Sequence, residues 1–310
     1  MPNFLNNIVR WFDSGNISVN DPPENKKIDL LRILPFILLH LSCFTVILVG
    51  YSTTALMTAV ILYFLRMFAI TAFYHRYFSH RTFKTSRVCQ FIFAILGASA
   101  AQRGPIWWAS HHRHHHRYTD QVIDQHSPKQ HGFWWSHMGW FLTRRNFRTQ
   151  HATTHDLMRF PELVFLDRFD ILVPSLLATL LFVTGYLLAM YFPALGTNGL
   201  QLLVWGFCIS TIVTMHGTFM INSLAHHFGS RRYATNDESR NNFFLALLTL
   251  GEGWHNNHHH FPSSAKQGFY WWEIDITYYL LQLLEKFGII WDLRVIPDKF
   301  RARHINKTTD

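Results

Sequence analysis

The sequence predicts an all-α membrane protein. Four transmembrane helices, paired as two hairpins, carry a cytosolic helical cap that holds a histidine-ligated metal centre. Three observations support this. Hydrophobic residues make up 49% of the 310 and charged residues only 15%, against about 25% charged in an ordinary soluble chain. Four apolar stretches reach the ~20 residues that a helix needs to cross a bilayer. Histidine, 21 residues in all, is concentrated in three clusters beside apolar stretches: His75-Arg-Tyr-Phe-Ser-His80, His111-His-Arg-His-His-His116 and His255-Asn-Asn-His-His-His260.

The first 30 residues are polar, and Asp21-Pro-Pro-Glu24 breaks any helix there. No cleavable signal peptide is expected, because the first apolar run is too long for an h-region. Residues 31–52 and 55–74 form the first predicted hairpin, closed by Thr53–Thr54, with Arg66 inside its second span, where a charge should face the protein interior. Residues 88–102 are apolar but short, which predicts a buried or interfacial helix. Residues 171–192 and 199–221 form the second hairpin across Pro193–Asn198, and Pro174 sits near the start of its first span, where a helix tolerates it. Residues 242–250 resemble 88–102, and Trp271–Phe287 predicts an amphipathic helix.

Lys and Arg orient these elements. The two hairpin turns contain none, whereas residues 1–30, 76–170 and 222–310 hold 3, 13 and 10 of the 28. Such asymmetry places those three segments, and both termini, in the cytosol. The net charge of +9 is therefore a membrane signature. No basic run with recognition chemistry predicts nucleic-acid binding. Cys43, Cys89 and Cys208 form no CxxC pair, which excludes a disulfide framework or a cysteine-based metal site.

Neutral imidazole is the commonest metal ligand near neutral pH. On a helix His255, His258 and His259 share one face, and His260 points away from it. The second cluster fits the same spacing in two registers, His111/His114/His115 or His112/His115/His116. His75 and His80, at i and i+5, lie about 140° apart on a regular helix, so they meet only if that helix distorts or ends. The number of histidines exceeds what one tetrahedral ion needs. Glu252-x-x-His255 is the only Glu-x-x-His, which disfavours a carboxylate-bridged bundle and favours an all-histidine dinuclear site. His40, His131, His137, His151, His155, His216 and His304 read as solitary, and His126 and His227 as non-ligands. A dinuclear centre beside lipid points to oxygen activation against an unreactive C–H bond.

Five ordered motifs carry a family resemblance. They are His75–Arg81, Trp108-Ala-Ser-His-His-Arg-His-His-His-Arg-Tyr-Thr-Asp120, Ser136-His-Met-Gly-Trp140, Asn222-Ser-Leu-Ala-His226 and Gly251-Glu-Gly-Trp-His-Asn-Asn-His-His-His-Phe-Pro262, with Trp272-Glu-Ile-Asp-Ile-Thr277 beyond them. Together they resemble the membrane fatty acyl desaturases of the stearoyl-CoA (Δ9) type. The resemblance implies a cytosolic segment 1–30, a desaturase domain 31–298 with its cap in 75–170 and 222–298, and a tail 299–310. It implies a di-iron centre, two iron ions held by His75, His80, His112, His115, His116, His226, His255, His258 and His259, with Asn222 acting through water. It adds His226, which residue reasoning alone would leave as a helix end. It implies O2 as co-substrate, a saturated acyl chain (acyl-CoA or acyl-lipid) in a bent apolar tunnel, and substrate contacts from Trp108, Thr218 and Trp272.

The chain departs from the acyl-CoA enzymes at Ser110, where they carry an Arg that holds the CoA head group, and at Phe219, where they carry a tunnel Trp. It has no His-Pro-Gly-Gly haem motif, so electrons are expected from a separate carrier with its reductase, whether a ferredoxin, a rubredoxin or a cytochrome b5-like protein, docked on the basic face. Without a fused donor or an ER-retention signal, a bacterial inner membrane is the expected location. Two rivals are a histidine-box membrane hydroxylase, which would yield an alcohol, and a metal transporter, which would need ionisable residues lining a path through several spans.

Overall fold

The computed structural model describes residues 8–15 and 27–302; the Asp21–Glu24 breaker and His304 lie outside the described residues. Four helices are long and apolar enough to cross a membrane: Arg32–Val49, Thr53–Ser79, Leu172–Tyr191 and Gly199–His226. Their outward faces are unpartnered hydrocarbon, with Ile47 81%, Leu48 85% and Leu180 63% exposed, as expected of surfaces whose solvent is lipid.

The hairpin turns differ in detail from expectation. Gly50 ends the first span with φ +65°, and the Ser52 hydroxyl accepts from the Ala55 amide at 3.1 Å. This cap starts the second span at Thr53, so the turn is Gly50–Ser52 and Thr53–Thr54 are already helical. In the second hairpin Pro193–Leu195 is a single 3-10 turn, Gly196 is left-handed, and the Asn198 side chain caps Gln201 at 3.0 Å.

The second and fourth spans run past the expected ends at 74 and 221. At 27 and 28 residues and about 1.5 Å per residue they exceed the ~30 Å hydrocarbon core. Their last turns therefore lift His75 and His226 into the cap. Arg66 does face the interior. It is buried and donates to the Leu62, Ser99 and Gly206 carbonyls and to the hydroxyls of Ser210 and Thr211, fastening the second span to the fourth.

The cap is built from short helices: Arg87–Ala98, Pro105–Tyr118, Phe243–Leu248, His255–His260 and Ile276–Lys286. A two-residue strand pair, Lys84–Thr85 with Ile290–Trp291, ties the C-terminal part to the end of the second span. The helix expected over 88–102 stops at Ala98, because Ala101 and Arg103 adopt positive φ. The helix expected over Trp271–Phe287 begins only at Ile276, where the Asp275 side chain accepts from the Tyr278 amide at 3.0 Å; Trp271 and Trp272 precede it in irregular chain. The cap core centres on Phe73 stacked on Phe93 at 3.8 Å, with Tyr77 stacked on Phe83 beside it.

Candidate metal centre and apolar cavity

The second span ends in eleven residues of π-helix, Ala69–Ser79, all buried. The wider turn resolves the awkward spacing of the first cluster. The His80 amide bonds to the His75 carbonyl at 3.2 Å, an i→i+5 contact, and the two rings lie 4.9 Å apart. The π-helix thus aligns residues that an α-helix would hold far apart.

Nine imidazoles converge in two groups, His75, His80, His112, His116 and His258 in one, and His115, His226, His255 and His259 in the other; within each, the candidate ligand atoms lie within 4.8 Å of one another. These are the nine expected positions. Each HxxHH helix serves both groups. His112 and His116 face the first while His115 faces the second; His255 and His259 face the second while His258 faces the first. The alternative register falls away. His111 is bound to Gln125 and the Arg148 carbonyl, and His114 packs on Tyr118. His260 stacks on Tyr233 at 4.0 Å, outside the cluster.

Carboxylates fix which nitrogen several of these rings offer. His115 Nδ1 lies 3.0 Å from Asp124, His259 Nδ1 2.9 Å from Asp237, and His226 Nδ1 3.4 Å from Asp120; His75 Nδ1 pairs with Glu252. An ionised carboxylate only accepts, so where Nδ1 hydrogen-bonds to it, as on His115 and His259, Nδ1 carries the proton and a neutral ring presents a bare Nε2 lone pair. Burial alone would raise the pKa values of these acids, but their histidine partners hold Asp120, Asp124, Asp237 and Glu252 below the usual carboxylate range. On the imidazole side, burial first and neighbouring rings second push His80, His112, His116, His255 and His258 well below the usual value, and burial takes His259 to about 4 despite Asp237.

The Nε2 atoms crowd together. His75 and His116 each approach His258 Nε2, at 3.0 and 2.9 Å, and His226 approaches His255 at 3.1 Å. His259 Nε2 is buried without a hydrogen-bond partner. Lone pairs gathered this closely in a desolvated site fit a pair of imidazole-favouring cations, and carboxylate-anchored imidazoles are the usual way to orient such ligands.

The four carboxylates are what residue-level reasoning missed. Glu252 stands in a Glu-x-x-His with His255, yet it pairs with His75. The available signal was that ionisable acids so close to buried histidines need partners. His115, Asp124 and His126 are also close enough to share an ion, but Asp124 is already engaged by His115 and by the Asp120 amide. His126 stacks on His115 at 4.3 Å. His40, His216 and His137 are not solitary. They form a hydrogen-bonded chain of 3.2 and 2.9 Å that ends on the Ser223 hydroxyl at 3.0 Å, joining the first span to the fourth.

A cavity of about 410 Å³ adjoins the first group, within the usual ~300–1,000 Å³ of ligand pockets. Its wall includes Trp108, His112, Thr218, Phe219 and Asn222, and it extends between Phe36 and Leu39 of the first span and Pro174 and Ala178 of the third. Trp108 stacks on His112 at 5.0 Å. Trp272 is not on this wall; it stacks on Tyr270 at 4.8 Å and is half exposed. Ser110 is fully buried, bonded to the Trp107 carbonyl and the Gln150 amide, and offers nothing to a head group.

Comparison with known proteins agrees with this arrangement. The fatty acid desaturase family profile matches residues 52–293. The acyl-CoA 5-desaturase of Anemone leveillei is 36% identical over 95% of this chain and 90% of its own length. The Delta-9 acyl-lipid desaturase 1 of Arabidopsis thaliana is 38% identical over 90% of this chain and 87% of its own. The sn-2 palmitoyl-lipid 9-desaturase of Nostoc sp. (strain 36) is 36% identical over 70% and 73%. With its membrane helices, its paired histidine groups and these relatives, the chain belongs to the fatty acid desaturase family and is an oxidoreductase of fatty acyl chains.

Proposed function

We propose that this protein is an O2-dependent di-iron desaturase that places a cis double bond at Δ9 of a saturated acyl chain. The observation that carries the reading is the pair of histidine groups beside an apolar cavity, one wall of which is His112. In balanced form, a saturated chain, O2, two electrons and two protons give the alkene and two waters. Bound iron would activate O2, the oxidant that accepts the two hydrogens of adjacent methylenes.

The remaining work belongs to the chain's own residues. His75, His80, His112, His116 and His258 hold one ion. His115, His226, His255 and His259 hold the other, with Asn222 contributing through water. Asp120, Asp124, Asp237 and Glu252 keep the proton on Nδ1 so that Nε2 stays free. Trp108, Thr218 and Phe219 shape the cavity and fix which carbons are presented, and such positioning makes a strong oxidant selective. Electrons come from a separate carrier. The Lys/Arg asymmetry supports cytosolic termini and cap. Relatives named as 9-desaturases support Δ9, and their acyl-lipid names, together with the buried Ser110, favour a lipid-linked substrate.

Expression in a host unable to make unsaturated chains tests this. Mass spectrometry should find a new alkene at carbon 9 in its lipids. Unchanged saturated chains would overturn the assignment, and a hydroxylated product would mark a hydroxylase instead.

A further inference from the structure

Between Tyr118 and Pro128 a short loop touches the histidine cluster from outside. Two of its side chains point inward. Asp120 faces His226 and Asp124 faces His115, so this one loop supports two of the four imidazoles in the second group. The residues between them include two large aliphatics turned the other way, Val122 at 78% exposure and Ile123 at 48%.

The loop is not a loose tip. The Asp124 amide bonds to the Gln121 carbonyl at 3.0 Å, the Asp120 amide to the Asp124 carboxylate at 2.9 Å, and Gln130 to the Asp120 carbonyl at 2.8 Å. It therefore presents Val122 and Ile123 on a fixed frame. Both also line a shallow crevice with Trp135 and Arg145.

The surroundings are basic. Arg117 and Lys129 are exposed on either side of the loop, and Arg145 borders the crevice. Glu238 nearby is partly buried and ion-paired with Lys129, Arg231 and Arg240. An aliphatic centre with a tryptophan and a positive rim has the composition of a protein-docking patch and would steer an acidic partner.

The patch is also connected to the centre through few bonds. Ile123 is covalently joined to Asp124, whose carboxylate accepts a hydrogen bond from His115 Nδ1 at 3.0 Å. One hydrogen bond therefore separates an exposed apolar residue from a candidate ligand.

We propose that an acidic one-electron carrier protein docks on Val122, Ile123 and Arg145, and that its electrons enter through Asp124 and His115. The inference rests on the di-iron reading above. Each docking oxidises the carrier by one electron and reduces the centre by one, so two dockings supply the two electrons of the balanced reaction.

The test uses a plant-type [2Fe–2S] ferredoxin and the soluble haem domain of cytochrome b5 as probes, with the full chain in nanodiscs and the variants Ile123→Glu and Arg145→Glu. Binding is measured first on metal-free protein. The wild type should bind at least one probe, more weakly as salt rises, and each variant should weaken that binding by about tenfold or more. Carrier-driven turnover should fall in parallel, while iron content and dithionite-driven single turnover stay at wild-type levels. The proposal is overturned if the wild type binds neither probe, or if both variants bind like the wild type. It is equally overturned if both variants lose iron, since the loop would then only support Asp124, or if a spin label at position 122 reports burial in the bilayer. Absence of dithionite-driven turnover in the wild type would instead sink the di-iron reading, and the binding measurements would still decide the docking site.

Discussion

His115 shows the chemistry one residue at a time. Its Nδ1 proton is held by Asp124, so its Nε2 is the only lone pair it can offer. Asp124→Asn keeps the shape but lets the amide present either a donor or an acceptor, and the tautomer is no longer fixed. Iron affinity should fall about 10- to 100-fold, read as faster loss to a chelator with the fold intact. His258→Ala removes the ring whose Nε2 meets two others, and should abolish turnover and lower the iron content on elemental analysis. Protonation gives a third expectation. The imidazoles of His80, His112, His116 and His258 are pushed below their usual value by burial, so in the metal-free fold they stay neutral, whereas in the unfolded chain they take up protons below about pH 6.5. The unfolded state then binds more protons, and linkage makes stability fall with falling pH. The Tm of metal-free protein should therefore drop between pH 7 and pH 5, and a flat profile would mean that the rings are not buried as described. Ligand spacing was legible for the second and third clusters because i, i+3 and i+4 define a helix face. The choice of register was not, since only the folded positions of Gln125 and Arg148 show why His111 is occupied elsewhere. His226 carried no pattern of its own.

At the scale of elements, the π-helix is the part that could not be read from the sequence. Nothing in Ala69–Ser79 marks an i→i+5 ladder, and all eleven residues of it are buried. The sequence did show that His75 and His80 require a distorted or ending helix, and the helix does both. This segment depends on close packing. A Cβ on Gly97 would lie 2.1 Å from the Tyr74 ring, one residue before His75, so the helix Arg87–Ala98 can approach the π-segment only through a glycine. Gly97→Val should destabilise the fold by about 1–3 kcal/mol through overpacking. Because the displaced element carries His75, iron stoichiometry should fall together with Tm. Retained iron with a lowered Tm would show that the π-segment holds its register without this contact. Caps explain the smaller boundary differences. Ser52 and Asp275 each accept an amide three residues on, and a single hydrogen bond of this kind decides where a helix starts when hydropathy runs smoothly through the boundary.

For the whole molecule, the architecture was legible because a bilayer permits so few solutions. Backbone polar groups cannot be left unpaired in hydrocarbon, so apolar runs of this length become helices, and short turns pair them as hairpins. Where the runs end in the cap was less legible, because hydropathy falls while the helix continues, as at Ser79 and His226. The arrangement has a consequence for orientation. The second and fourth spans deliver His75 and His226 to one cluster, so their C-terminal ends lie on the same side. Each hairpin partner must then begin on that side too, which puts the first span's start, the whole cap and the C-terminal segment together and leaves only Gly50–Ser52 and Phe192–Asn198 opposite. The lysines and arginines, absent from the two turns, support the proposal that this crowded side is cytosolic. Reporter tags at either terminus should therefore be cytosolic, and a tag inserted at Gly196, where φ is already positive and a Cβ meets nothing within 4 Å, should be reached only from the other face. Tags on opposite sides at the two termini would require an odd number of crossings, and that would separate the histidines that the fold brings within hydrogen-bonding distance.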